Sequence, residues 1–185
     1  MRNHTTALRT ALALAVLSVA TLTGCSAVSA NDTAPTTQEA VLPVQTNPIT
    51  NASMLPGLTL VGAAVEDNLD SRTGEAISDR LQVQVRNDTA QELKNFEVFY
   101  TMTDVITGAV ESYYQDLTDF SLAPDAAFSI EFDGESAPGH FPENPFSLYR
   151  LSPNQVDFVV EVSAHGVQPV TATATKGSGV GDLAD

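Results

Sequence analysis

Few groups in this sequence could act as nucleophiles or bases. Cys25 carries the only thiol, and of the three histidines only His140 and His165 lie beyond the N-terminal region. Hydrolysis by the common mechanisms needs a nucleophile and a base held close together. The sequence has neither a Gly-x-Ser-x-Gly elbow nor a His-Glu-x-x-His zinc motif. Both histidines adjoin glycine and are predicted to be exposed turn residues. The sequence therefore favours a protein that is not an enzyme, with no catalytic residues, metal ligands or cofactor.

The segment 136–150 is the most distinctive candidate for a binding surface. Three of its residues are prolines, which stiffen it, and long loops at one end of a β-domain often carry binding residues. In one interpretation its aromatic rings and its arginine contact a partner. In the other, which we favour because three exposed large rings would promote aggregation, the rings fold inward and close the end of the domain. The candidate binding residues are His140, Phe141, Glu143, Phe146, Tyr149 and Arg150.

A second polar cluster lies in the first predicted connection between strands. Its oxygen-bearing side chains are of the kind that bind Ca²⁺, but their spacing does not fit an EF-hand loop. Asp and Asn in turns also hydrogen-bond to their own backbone, so a solvated turn is the favoured interpretation. The cluster consists of Glu66, Asp67, Asn68, Asp70 and Glu75.

The first 24 residues have the parts of an export signal. Two arginines and no acidic residue flank the start of an apolar run from Thr10 to Leu22. This run is shorter than the span of about 20 residues that a bilayer requires. The residues Leu22-Thr23-Gly24-Cys25 resemble the lipobox of bacterial lipoproteins. The resemblance implies a diacylglyceryl thioether on Cys25, cleavage after Gly24, and acylation of the new amino terminus by a fatty acid such as palmitate. It thus implies a protein anchored in the cell membrane on the extracytoplasmic face.

Two alternatives to lipidation stay open. An ordinary secretory signal could be cut after Ala30, since Val28-Ser29-Ala30 is an acceptable cleavage site, although this would leave Cys25 without a role. The leader could also be retained as a membrane anchor. Which of two membranes holds the protein, if the cell has two, does not follow from the sequence.

The charge balance is strongly acidic, with 8 basic and 23 acidic residues and a formal net charge of −15. Removing Arg2 and Arg9 with the leader leaves 6 basic residues against 23 acidic ones, a net charge of −17. Such a surface repels phosphate groups, which argues against nucleic acid as a partner. With a single cysteine there is no internal disulfide, so the fold depends on its apolar core.

Composition divides the mature chain into three parts. Residues 25–56 comprise the lipidated Cys and a Thr/Ala/Pro-rich stretch without apolar periodicity, which predicts a disordered tether. Residues 57–176 form the predicted domain, and residues 177–185 a flexible tail.

Within residues 57–176, apolar and polar residues alternate in seven short runs separated by turn residues. Two sheets packed face to face bury one side of every such strand. We therefore predict an all-β fold, a single immunoglobulin-like antiparallel β-sandwich, with a closed barrel as the alternative. The predicted core consists of Leu81, Val83, Val85, Phe96, Val98, Tyr100, Ile130, Phe132, Phe158, Val160 and Val162.

Residues 80–133 carry a further resemblance. A strand ends in Asn87, the next contains Phe99-Tyr100 and runs into Asp104 before a turn at Gly108, and Leu122-Ala123-Pro124 opens the following strand. This layout resembles the FxLYD-type immunoglobulin-like domain of prokaryotic exported proteins, although Asp125 stands where glycine is usual and Thr103 where an aromatic residue is usual. The resemblance implies a fold and no particular activity. The whole layout is similar to small lipoproteins of high-GC Gram-positive bacteria.

These observations favour a non-enzymatic interaction or accessory module of the cell envelope, whose partner is another envelope protein. The alternative is a small-ligand or Ca²⁺-binding lipoprotein of the solute-capture type, and a hydrolase is less favoured. Neither the partner nor the oligomeric state can be read from the sequence.

Overall fold

The computed structural model describes residues 41–117, 119–179 and 182–183. All seven predicted strands are present, and two very short strands and one helical turn add to them. The predicted leader, the predicted lipidation site Cys25 and the predicted tether up to residue 40 lie outside the described residues. In chain order the elements are β1 Leu58–Leu69, β2 Ala76–Asn87, β3 Phe96–Asp104, β4 Val110–Leu117, β5 Ala127–Phe132, β6 His140–Phe141, α1 Leu148–Leu151, β7 Val156–Ser163, β8 Val170–Lys176 and β9 Asp182–Leu183.

The strands form two sheets, in the orders β6-β5-β2-β1-β9 and β4-β3-β7-β8. Neighbouring strands are antiparallel except at the edges, where β6 is parallel to β5 and β9 is parallel to β1. The pairings of β2 with β5 and of β3 with β7 join strands that are distant in sequence, as in immunoglobulin-like sandwiches. The predicted all-β sandwich is confirmed, and the described strands do not close into a barrel.

The core lies between the two sheets, where residues are buried in alternation in β2, β3, β4, β5 and β7. In β3 this alternation is complete from Phe96 to Asp104. All eleven predicted core residues are buried, and Met102, Tyr113 and Leu117 join them. Burying one large apolar side chain contributes about 1.5–3 kcal/mol, so this interior can hold the fold without a disulfide.

Three turn positions of the FxLYD-like pattern have distinct local roles. Asn87 is fully buried, and its amide group donates to the carbonyl oxygens of Gln91, Leu122 and Ala123. Asp104 accepts the backbone N–H groups of the turn that follows it. Asp125 has a φ of 57°, in the left-handed region that favours glycine. This conformation explains why glycine suits that position of the pattern.

Residues 41–56 differ from the predicted disordered tether, because they lie along the β4-β3-β7-β8 sheet without forming a strand. Val44 N–H donates to Ser112 O at 2.8 Å. The side chain of Asn51 donates to Ser163 Oγ and to the carbonyls of Ala164 and Val167. This segment is held by one backbone bond and by the amide side chain of Asn51 instead of a strand ladder, so it shows no apolar period in the sequence.

The chain's other boundary also differs from the prediction. Asp182–Leu183, in the stretch predicted to be a flexible tail, pairs with Asn68 and Leu69 of β1. Gly179 N–H donates to Pro153 O at 2.9 Å. Among the residues described here, no helix has the length and apolar character to cross a bilayer.

Candidate functional site

The candidate loop 136–150 divides into two parts with different surroundings. His140 and Phe141 form β6 along the outer edge of β5. Tyr149 is buried with the core, whereas Phe146 is 74% exposed. The prediction that the three rings fold inward therefore holds for Phe141 in part and for Tyr149, and it is wrong for Phe146. Only the first part of the loop contributes to a surface cleft.

That cleft is built from three phenylalanine rings. Phe120 lies in the turn after β4, and its ring centroid is 5.3 Å from that of Phe128 and 6.4 Å from that of Phe141. The cleft has a volume of about 400 Å³ and is also lined by Pro138 and His140. Offset and edge-to-face ring pairs at these spacings stabilise each other. The result is an apolar recess at the surface, to which we refer as the aromatic cleft.

Gly139 allows β6 to lie close to β5. A Cβ atom at this position would lie 2.3 Å from Phe128 Cε1 and 3.1 Å from Ser129 O. The residue also has a φ of 89°, which side chains rarely adopt. Glycine at this position therefore fixes the backbone of His140 against the sheet.

The edge of β5 is only partly covered. Glu131 N–H donates to Gly139 O at 2.8 Å, and Asp133 N–H to Phe141 O at 3.3 Å, so odd-numbered amides point away from β2. The register of β6 includes only Glu131 and Phe132. Since backbone direction alternates along a strand, the N–H and C=O groups of Ala127 and Ser129 also face outward. They extend the same edge beside the aromatic cleft, beyond the register of β6. Gly139 lies against Ser129 O, and the groups of Ala127 are open to pairing.

A group of polar side chains borders the cleft on its other side. His140 Nδ1 lies 2.7 Å from Asp133 Oδ2, 3.9 Å from Glu131 Oε2 and 4.0 Å from Glu135 Oε2. The hydrogen bond to Asp133 raises the pKa of His140, since the nearby carboxylates favour the charged imidazole. The sequence prediction of an exposed turn residue is therefore wrong for His140, which is half-buried. The alternation of Glu131 and Asp133 was visible in the sequence, but their approach to His140 depends on the short parallel strand β6.

Apart from the exposed Phe146, the second part of the loop faces the protein interior. Arg150 is ion-paired with Asp79 and with Glu143, and Tyr149 Oη donates to Glu143 at 2.9 Å. Burial raises the pKa of Asp79, against the attraction of Arg150. The buried ammonium of Lys176 donates to the carbonyl oxygens of Tyr149 and Ser152. Glu143, Tyr149 and Arg150 thus hold α1 in place and are not displayed to a partner.

The acidic cluster of the first connection does not gather around one point. Glu66 pairs with Arg80 at 2.9 Å, and Asp67 with Lys176 at 3.3 Å. Asp70 accepts the N–H groups of Arg72 and Thr73 in a turn. The interpretation of a solvated turn therefore holds for Asp70, whereas Glu66, Asp67 and Asn68 belong to β1.

His165 lies apart from the aromatic cleft. It lines an open depression of about 630 Å³ together with Leu55, Lys94 and Val167. Its backbone N–H donates to Lys94 O at 3.0 Å, and Lys94 is paired with Glu92 at 2.7 Å. The two histidines line different cavities, so the described residues do not assemble them into one catalytic group.

The fold and this edge together define an immunoglobulin-like sandwich with an aromatic cleft beside an open strand edge. No family model and no curated protein matches the chain. Among solved structures the chain is similar to β-glucuronidase 2 of Bacteroides uniformis, which was solved covalently bound to cyclophellitol-6-carboxylate aziridine. The identity is 8% and the TM-score 0.34, over 66% of this chain and 13% of the length of the enzyme.

Proposed function

We propose that this protein is a non-enzymatic, lipid-anchored module of the cell envelope that binds an extended segment of another envelope protein along the edge of β5. The observation that carries the proposal is the continuation of this edge, at Ala127 and Ser129, into the aromatic cleft. An added strand gains affinity from main-chain hydrogen bonds and specificity from side-chain pockets. In this protein the β5 edge would supply the main-chain hydrogen bonds, and the aromatic cleft would supply the side-chain pocket.

The charge around the cleft specifies the kind of segment. Asp119 lines it, while Asp133 and Glu135 lie on its far side around His140. No lysine or arginine is among the described residues that line the cleft. An acidic rim attracts cationic groups and speeds their encounter. The segment we propose therefore carries one aromatic or branched apolar residue flanked by Lys or Arg.

The membrane anchor in this proposal depends on Cys25 and the leader before it. We expect mass spectrometry of the protein purified from membranes to find an N-terminal peptide that begins at Cys25 and carries the mass of a diacylglyceryl group. A Cys25→Ser variant should lose this mass and leave the membrane fraction. An unmodified N-terminus at Asn31 would instead support the secretory alternative.

Photo-crosslinking tests the binding edge. A benzoylphenylalanine at Ser129 should form specific adducts with one envelope protein in intact cells, because this position lies on the β5 edge beside the aromatic cleft. Phe128→Ala should reduce the adduct about tenfold, as loss of an aromatic contact commonly does. Thr171 is the matched control position, since it is exposed on another edge strand, β8, without an adjoining aromatic cleft.

The outcome is judged by comparing the two positions. Equal labelling from Ser129 and Thr171, or adducts only with abundant neighbours, would contradict the proposal. A single adduct from Ser129 that a synthetic basic-aromatic peptide competes away would support it.

A further inference from the structure

Three side chains that can coordinate a metal ion meet at the junction of β5 and β6. Glu131 belongs to β5, Asp133 follows its end, and β6 places His140 directly beside Glu131. Their ligand atoms all lie within 4.8 Å of one another. Since β6 is held against β5 through Gly139, the backbone of His140 is positioned directly beside Glu131.

The surroundings leave the cluster with excess negative charge. Glu131 and Asp133 meet one imidazole, and Glu135 adds a third carboxylate at 4.0 Å from Nδ1. The nearest guanidinium belongs to Arg80, whose Nε is 3.8 Å from Glu131 while its Nη2 is bound to Glu66. The nitrogen of Arg80 that faces Glu131 makes no hydrogen bond and is buried. A cation among these carboxylates would balance them better than Arg80 does.

We infer that Glu131, Asp133 and His140 form a binding site for a divalent transition-metal ion, of which Zn²⁺ fits best. The ion would replace the proton that His140 Nδ1 shares with Asp133. Glu135, whose side chain is largely exposed, can swing in as a fourth ligand, or water can occupy that position. This inference goes beyond the partner-binding proposal but shares groups with it, because His140 also lines the aromatic cleft and Asp133 belongs to its acidic rim.

The distances suit a small ion after modest side-chain rotation. In a tetrahedral zinc site with bonds of about 2.0–2.2 Å, ligand atoms lie roughly 3.4 Å apart. Here the Nδ1–Oδ2 separation is 2.7 Å and the Nδ1–Oε2 separation to Glu131 is 3.9 Å. The Nδ1–Oδ2 pair must open by about 0.7 Å and the Nδ1–Oε2 pair must close by about 0.5 Å, which χ rotations of the two acids can provide.

The donor set also discriminates among metals. Ca²⁺ requires six to eight oxygen ligands at 2.3–2.6 Å and does not favour imidazole. One imidazole nitrogen with two or three carboxylate oxygens is instead a ligand combination that suits Zn²⁺, and Mn²⁺ should bind to it more weakly. Gln82 supports this arrangement, since its Nε2 donates to Glu131 Oε1 at 3.2 Å and leaves Oε2 directed at His140. Second-shell hydrogen bonds of this kind orient metal ligands.

Calorimetry on the full-length, detergent-solubilised protein, stripped of metal with a chelator, tests the inference. ZnCl₂ should bind with one-to-one stoichiometry and raise the Tm, whereas CaCl₂ should do neither at the same concentration. His140→Ala and Asp133→Asn should each weaken Zn²⁺ binding at least tenfold. His165→Ala is the matched control, because it removes the other described histidine from a separate cavity, and should leave Zn²⁺ binding unchanged.

A second readout keeps the test decisive if His140→Ala fails to fold. Co²⁺ bound to the wild type should give visible absorption bands of a tetrahedral complex, and the isosteric Glu131→Gln should change them. The inference is overturned if the wild type binds no Zn²⁺ below millimolar concentration. It is equally overturned if several ions bind and none of the three variants affects them, which is adventitious surface binding.

Discussion

Replacing Arg150 with alanine is expected to lower the free energy of unfolding by about 4 kcal/mol, because breaking a buried ion pair leaves uncompensated charge. The side chain of Arg150 is 16% exposed, while those of its partners Asp79 and Glu143 are 1% and 8% exposed. Without the guanidinium, both carboxylates stay buried without a cation. Urea denaturation monitored by circular dichroism measures the loss.

The size of this loss should depend on pH. Burial already raises the pKa of Asp79 in the wild type, and Arg150 opposes that rise, so the variant raises the pKa further. A carboxyl whose folded pKa lies above its unfolded value favours folding while it is protonated. That contribution is complete below the unfolded pKa of about 4 and disappears as the pH rises through the folded pKa. We therefore expect a larger loss at pH 7.5 than at pH 4.

Arg72→Ala is the matched control for Arg150→Ala. The side chain of Arg72 is 86% exposed and its contact with Asp70 is 4.0 Å long, so its removal should cost less than about 0.5 kcal/mol at either pH. The double variant Asp79→Asn with Arg150→Ala should recover part of the stability, since it removes one of the two buried carboxylates that have lost their cation. Equal losses for Arg150→Ala and Arg72→Ala would contradict a role for the buried network.

The strands were predictable because their signal is local. In β3, Phe96, Val98, Tyr100 and Met102 alternate with polar or less buried residues, and the structure buries all four. A period of two identifies both the strand and its inner face without knowledge of any partner. The register and the crossed strand order then follow from burying those faces together.

The candidate site was only partly predictable, because its contacts join residues that carry no shared period. Phe146 and Tyr149 lie three residues apart in one loop, yet one is exposed and the other buried. Arg150 finds Asp79 across 71 residues of sequence. The sequence selected His140 and Phe141 as candidate binding residues, and the structure places both at the aromatic cleft. Phe120 and Phe128, which complete the aromatic cleft, were not among the predicted candidate residues.

Asn87 also combines a local signal in the sequence with long-range contacts in the structure. Its substitution should lower the free energy of unfolding. The resemblance marks it as a strand end, but the structure shows its side chain joining two separate connections. Its Nδ2 donates to Gln91 O, Leu122 O and Ala123 O at 2.7, 2.9 and 3.0 Å. Its Oδ1 accepts the N–H of Thr89 at 2.9 Å. One buried amide therefore satisfies both the turn after β2 and the chain entering β5.

The substitution Asn87→Asp tests the donor and the acceptor separately. It keeps the oxygen that accepts from Thr89 and removes the Nδ2 group that donates to the three carbonyl oxygens. We expect a loss of about 4 kcal/mol, since three carbonyl oxygens would face a buried carboxylate with no hydrogen to share. Asn87→Ala should cost about 3 kcal/mol, as it leaves the same carbonyls unpaired without adding charge. Urea denaturation at pH 7.5 measures both.

Asn47→Asp provides the control for this change in side-chain chemistry. Asn47 is exposed and donates one hydrogen bond, to Glu161 at 2.9 Å, so water can replace that bond and the loss should stay below about 1 kcal/mol. Lowering the pH should return part of the stability of Asn87→Asp, because a protonated carboxyl regains one donor for the three carbonyl oxygens. If Asn87→Asp proved as stable as Asn47→Asp at pH 7.5, the amide of Asn87 would not be what joins the two connections.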